Sequence, residues 1–128
     1  MAYQRQVGFA ETDASGRAHF TSVLKWVEEA EHVFLRERGI VVFDGELGWP
    51  RARVECDYRS AVMAGDEVVV EIGVAEVGES SVQWRFRVLR TGGVVAEGWV
   101  VTVFAGEKGS LPLSDEVREV LLRDANGD

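Results

Sequence analysis

The sequence predicts an α+β domain in which an antiparallel sheet is wrapped around one long central helix. Three observations carry this prediction. Residues 20–38 repeat apolar side chains at helical spacing, whereas the chain beyond residue 50 alternates with a period of two. Only one helix of useful length is present, and a single helix does not cover both faces of a parallel sheet.

The elements follow in order. Residues Gln4 to Phe9 form a candidate first strand. In the next segment Phe20, Val23, Leu24, Val27, Ala30, Phe34 and Leu35 trace an amphipathic stripe, and Gly39 is placed to end the helix as a C-cap. Trp26 and Val33 lie off that stripe, so more of the circumference is apolar than a surface helix requires. Val54, Cys56 and Tyr58 then alternate with charged neighbours, as in a strand with one wet face. The valine-rich run Glu67 to Val77 is a second long strand. Val82, Trp84, Phe86 and Val88 mark a third, which turns at Thr91-Gly92-Gly93 into Val94 to Phe104. Ser114 to Arg123 reads as a short terminal helix with Ser114 as N-cap and Asp115 and Glu116 in its first turn, and residues 125–128 read as frayed.

Composition narrows the function. A chain of 128 residues suits one core, so residues 1–128 are read as a single domain. Fourteen Lys and Arg against 22 Asp and Glu give a net charge of −8, which repels a phosphate backbone and argues against nucleic acid as a partner. The opening MAYQRQVGF lacks the features of a signal peptide, and no run approaches the ~20 apolar residues of a membrane span. Cys56, the only cysteine, has no partner for a disulfide or a zinc site. These features lead to an expected cytoplasmic location without membrane association.

The stretch Glu11 to Glu31 places an acid, a glycine turn and a helix start close together. Asp13 precedes the helix start by seven positions. A helix N-terminus offers unpaired N–H groups and about half a positive charge, suited to an oxygen that becomes negative during acyl transfer. A nearby carboxylate can activate water or attack a carbonyl itself. On spacing alone an Asp13 that only holds a loop through an Asx-turn is the more common case, since Asp is frequent in turns, and function is left undecided.

The residues Phe9-Ala10-Glu11-Thr12-Asp13, followed by Gly16 and by the helix segment Trp26-Val27-Glu28-Glu29-Ala30, resemble the hotdog-fold acyl-CoA thioesterases of the 4-hydroxybenzoyl-CoA thioesterase-like and Tol-Pal-associated type. The segments Val54 to Asp66, Ala96-Glu97-Gly98 and Leu111-Pro112 extend the similarity over nearly the whole chain. The resemblance implies a hotdog fold, an acyl-CoA substrate, assembly as a homodimer or homotetramer, and an interface site with Asp13 as nucleophile or general base. It assigns the oxyanion donor to the backbone N–H of Phe20 and the tight turn to Gly16, and it implies no cofactor or metal.

Three departures qualify the carry-over. His19 precedes Phe20 where the family places the aromatic first, so His19 either lines the acyl pocket or packs and hydrogen-bonds. Gly78-Glu79-Ser80-Ser81 stands where one family member carries a basic cluster for the nucleotide. Recognition of CoA phosphates is therefore assigned to Arg59, Arg85, Arg87 and Lys108, with Ser81 the polar candidate of that turn. Arg17 occupies a loop position usually small or apolar, and either meets a substrate phosphate or carboxylate or faces solvent. Leu24, one turn into the helix, is assigned with His19 and Phe20 to the acyl end, which gives an expected preference for short, branched or aromatic acyl groups. Glu28, Glu29 and Glu31 are expected to be solvated or paired with Lys25 and Arg36. His32 with Glu28 and Glu31 lacks metal-binding spacing, so no metal site is assigned. Alternative readings are a silent acyl-CoA-binding or assembly module, and a hotdog dehydratase or hydratase pairing Asp13 with His19.

Overall fold

The computed structural model describes residues 1–127. The chain runs β1 (Ala2–Gln6), a single 3-10 turn (Phe9–Glu11), α1 (Phe20–Glu37), β2 (Arg51–Tyr58), β3 (Glu67–Val77), β4 (Ser81–Arg90), β5 (Gly93–Val103), the small hairpin β6 (Ala105–Gly106) and β7 (Gly109–Ser110), and α2 (Asp115–Ala125). Five strands form one antiparallel sheet in the order β1-β3-β4-β5-β2, as expected of a sheet wrapped on one helix.

The alternation in the long strands explains which face meets the helix. Val68, Val70, Ile72 and Val74 of β3 and Val82, Trp84, Phe86 and Val88 of β4 are buried together with Trp26, Val27, Ala30 and Phe34 of α1. Phe34 meets Trp84 edge to face at 5.0 Å, and the Trp84 indole N–H donates to Thr102 Oγ1 at 3.0 Å, so both aromatics are packed and satisfied. Trp26 is fully buried, which confirms a helix wrapped beyond its apolar stripe.

Both helices end as their sequences require. Gly39 adopts φ +72° while its N–H bonds the Arg36 carbonyl and the Ile40 N–H bonds that of Leu35, a Schellman closure. Ser114 Oγ accepts from the Val117 N–H at 3.2 Å. α2 then covers the part of the β3 edge that β1 leaves free, where Asp124 Oδ2 accepts the Val74 N–H at 2.7 Å.

Three local expectations are corrected. The first strand is Ala2–Gln6 rather than 4–9, because the Gly8 N–H bonds Glu11 Oε1 at 2.9 Å and turns the chain into the 3-10 segment. Of the stretch expected to fray, Ala125 closes α2 and Asn126 caps it, while Asp128 lies outside the described residues. The helix acids are held by strand arginines: Glu29 by Arg5, and Glu28 and Glu31 by Arg51, rather than by Lys25 and Arg36.

Candidate active site

The N-terminal end of α1 opens on a cleft of about 410 Å³ lined by Asp13, Ser15, Arg17, Phe20, Tyr58 and Arg59 together with Val23, Val62 and Val95. The loop before the helix is folded back on itself. The Asp13 N–H bonds the Arg17 carbonyl at 2.7 Å, the Gly16 N–H bonds the Asp13 carbonyl at 3.0 Å, and Gly16 has φ +83°, a conformation that glycine adopts without strain. The loop is anchored at its start by Glu11, whose carbonyl accepts from the His19 N–H and the Ser22 hydroxyl, both at 2.8 Å.

Asp13 is exposed, and its two carboxylate oxygens differ in their surroundings. Oδ1 accepts the Ser15 N–H at 2.8 Å and the Ser15 hydroxyl at 2.5 Å, whereas Oδ2 has no hydrogen-bond partner among the described residues. The Ser15 hydroxyl, with its N–H, holds the Asp13 pKa below the usual aspartate value, so the group is ionised at neutral pH. The Asx-turn and a chemical role are therefore compatible within one side chain.

Phe20 is the first residue of α1, and its N–H has no hydrogen-bond partner among the described residues. His19 is the N-cap: Nδ1 accepts the Thr21 N–H at 3.2 Å, and the ring stacks on Phe20 with centroids 4.6 Å apart. His19 thus supports Phe20 from outside the cleft lining. Leu24 is half-buried and also outside the lining, where its neighbour Val23 stands instead.

Tyr58 closes the other side of the cleft. Its hydroxyl donates to the Phe20 carbonyl at 2.8 Å, and burial, followed by the nearby Cys56, pushes its pKa up to about 12. Arg17 has no carboxylate within ion-pair distance among the described residues, while Arg59 is bridged to Glu97 at 3.1 Å and Asp57 at 3.8 Å. Arg87 pairs with Glu71 on the sheet, and Arg85 Nη1 donates to the Val74 carbonyl. Ser81 opens β4 and Lys108 sits in the β6–β7 turn, at the end of the sheet opposite the cleft. The structure therefore gathers Asp13, Arg17, Phe20 and Arg59, and sets Arg85, Arg87, Ser81 and Lys108 elsewhere on this chain. Among the described residues, no group of three or more His, Cys, Asp or Glu is placed to hold a metal ion, and no helix is long and apolar enough to cross a membrane.

Sequence reasoning assigned no role to Ser15, Tyr58 or Glu11. A serine two positions after an aspartate is a known turn signal and marks Ser15 in retrospect. Tyr58 becomes a neighbour of Phe20 only through folding, 38 residues away in sequence.

An antiparallel sheet wrapped on one long helix is the hotdog fold, an architecture shared with CoA thioester hydrolases of known structure. The chain belongs to the Thioesterase superfamily, whose sequence signature matches residues 15–97. That span begins two residues after Asp13. A 1,4-dihydroxy-2-naphthoyl-CoA hydrolase from Synechococcus sp. (strain WH7803) is 32% identical over 75% of this chain and 70% of its own length. A protein of the same name from Prochlorococcus marinus (strain NATL2A) is 27% identical, the match covering 72% of this chain and 66% of that protein. Among solved structures, a gentisyl-coenzyme A thioesterase superposes with a TM-score of 0.88 at 27% identity, covering 94% of this chain and 99% of the other.

Proposed function

We propose that the chain hydrolyses an acyl-CoA thioester to the free acid and CoA, with Asp13 as nucleophile or general base and the Phe20 N–H as oxyanion donor. The observation that carries this reading is the cleft lined by both an ionised carboxylate and the residue whose free amide begins a helix. Either Asp13 attacks the thioester carbonyl to form an acyl-enzyme anhydride that water opens, or it takes a proton from the attacking water. In both cases the carbonyl oxygen becomes negative beside the Phe20 N–H, where the helix dipole adds to the hydrogen bond. The thiol of CoA leaves as a thiolate, which needs little help from an acid.

The acyl group is read as aromatic, or short or branched, rather than a long fatty chain. Phe20, Val23, Tyr58, Val62 and Val95 give the cleft an aromatic and aliphatic wall, and the relatives are named for naphthoyl and gentisyl thioesters. Each methylene of a long chain adds roughly 0.8 kcal/mol only where the site encloses it. Arg17 and Arg59 are the cations placed to meet anionic oxygens of the substrate at this cleft. Arg85, Arg87, Ser81 and Lys108 serve CoA only in a site completed by a second copy. We infer at least a homodimer, joined at the β2 edge, which exposes Val54 and Tyr58. On this reading residues 1–128 act as one domain in the cytoplasm.

The decisive experiment is turnover of acetyl-, hexanoyl-, benzoyl- and palmitoyl-CoA by wild-type protein and Asp13→Asn. The variant is expected to keep fold and assembly while losing at least ~10²-fold in kcat. A variant of near wild-type rate overturns the role of Asp13, and kcat/KM rising steadily through palmitoyl-CoA overturns the acyl assignment. Light scattering that shows a monomer at micromolar concentration overturns the assembly.

A further inference from the structure

We propose that Ser15 is a positioning residue for Asp13: its backbone N–H and hydroxyl together hold Oδ1 and thereby present Oδ2 as the reacting oxygen. The inference rests on the catalytic reading of Asp13. Three observations support it. Both Ser15 donors meet the same carboxylate oxygen, at 2.8 and 2.5 Å, while the other oxygen has no partner among the described residues. Ser15 lines the same cleft as Asp13 and Phe20, so the grip is exerted at the site itself. The backbone on both sides of Asp13 is tied by the Arg17 and Gly16 hydrogen bonds and by the bridge between Thr12 and Ala18. With the main chain held, the remaining freedom of Asp13 is rotation about its side-chain bonds.

A backbone N–H alone completes an Asx-turn, and any residue at position 15 supplies one. The hydroxyl is the addition made by serine. It forms a short, charge-assisted bond to an ionised acceptor, the stronger kind of hydrogen bond. A carboxylate held by one oxygen in two directions has one orientation, which leaves the second oxygen in a defined place relative to a carbonyl at the Phe20 N–H. The same bond favours the ionised form, in keeping with the depressed Asp13 pKa.

The test uses Ser15→Ala, which keeps the backbone donor and removes the hydroxyl, and Ser15→Thr, which restores a hydroxyl. Two readouts are taken: the carboxyl carbon titration of Asp13 by NMR, assigned with Asp13→Asn, and the pH profile of kcat and KM for benzoyl-CoA. Removing a bond to the charged form raises the Asp13 pKa, so in Ser15→Ala both the titration midpoint and the acid limb of kcat/KM move to higher pH. At neutral pH kcat falls about 3- to 10-fold, the range of one hydrogen bond, with KM little changed, and Ser15→Thr recovers most of the loss. An unchanged midpoint and unchanged kcat in Ser15→Ala overturn the proposal. If Asp13→Asn is inert in that case, only the role of Ser15 falls; if Asp13→Asn turns over at the wild-type rate, the reading of the site falls with it.

Discussion

The two edges of the sheet are tied to α1 by the same device, and the two ties behave oppositely. On the β1 edge, Arg5 reaches Glu11 at 2.5 Å and also Glu29, which accepts the Tyr3 hydroxyl as well. On the β2 edge, Arg51 reaches Glu31 at 2.7 Å and Glu28 at 3.1 Å. Burial pushes both Glu11 and Glu31 up in pKa. At Glu11 the Gly8 N–H, the Trp26 indole N–H and Arg5 outweigh burial, so its pKa lies below the usual glutamate value. At Glu31, only 2% exposed and with Oε1 unpartnered, burial wins against Arg51 and pushes the pKa up to about 7. An arginine alone therefore does not decide the charge state of a buried carboxylate. The number of remaining acceptor sites that find donors does.

Removal of Glu11 breaks the comparison most directly. Glu11→Ala removes the acceptor of the buried Trp26 N–H and of the Gly8 N–H and leaves Arg5 with Glu29 alone, and the loss of these three bonds together costs about 3–5 kcal/mol. Because the Glu11 side chain also accepts the Gly8 N–H at the turn that leads into the Asp13 loop, kcat is expected to fall together with stability. Urea unfolding and turnover measured in parallel check this; a variant with wild-type stability would show that the network is decoration on a surface.

Glu31 sharpens the comparison through pH. Its folded pKa is raised above the unfolded value, so native protein holds a proton between pH 4.5 and about 7 that unfolded protein releases. The Glu31 contribution is thus full below pH 4.5 and lost as pH rises through about 7, a change of about 3 kcal/mol. Glu11 has the opposite sign: its contribution is present above the unfolded pKa and lost on acidification. Glu31→Gln should remove the Glu31 component, so the difference in stability between wild type and variant should change across that window. A constant difference from pH 4.5 to 8 would contradict the buried, raised carboxyl.

These ties also show where the sequence stops speaking. The helix and the long strands were legible because their apolar periods, 3.6 and 2, are local properties that burial against one core imposes. Asp13, Gly16 and Phe20 were legible as a turn before a helix start, since both are local, while the roles expected of them came from the family resemblance. The partners of Glu28, Glu29 and Glu31 were not, because Arg5 and Arg51 arrive from strands at opposite edges of the sheet. Spacing along the helix proposed Lys25 and Arg36, which are near in sequence. Tyr58 and Ser15 escaped for different reasons, one being distant in sequence and the other looking like an ordinary turn residue. The choice of Leu24 over Val23 was a shift of one residue, about a quarter turn of helix.

The β2 edge also depends on one glycine, for which β1 has no counterpart. Gly98 of β5 lies opposite Cys56, and a Cβ added there would come within 1.9 Å of the Glu55 carbonyl oxygen. Backbone cannot yield as a flexible side chain does. Gly98→Ala should therefore push β2 from β5 and destabilise by about 1–3 kcal/mol, as overpacking does. Amide exchange should accelerate along β2 while the β1 pairing with β3 remains protected. Equal acceleration at both edges would mean that the strain spreads through the sheet.

The smallest expected effect comes from Tyr58, which links the β2 edge to the site itself. Its hydroxyl donates to the Phe20 carbonyl, and with a pKa near 12 it stays protonated, hence a donor, throughout the neutral range. Tyr58→Phe keeps the ring that lines the cleft and removes only this bond, which contributes about 0.5–1.5 kcal/mol. The Phe20 carbonyl is also a helical acceptor near the rim, where water can replace the lost donor, so the stability change should lie at the low end. If the bond serves chiefly to hold the first turn of α1 against β2, kcat should fall by about 2- to 5-fold with KM for benzoyl-CoA nearly constant. A rise in KM at constant kcat would instead place the hydroxyl among the groups that bind the acyl chain. The β2 edge would then shape the substrate pocket directly rather than only brace the helix that begins it.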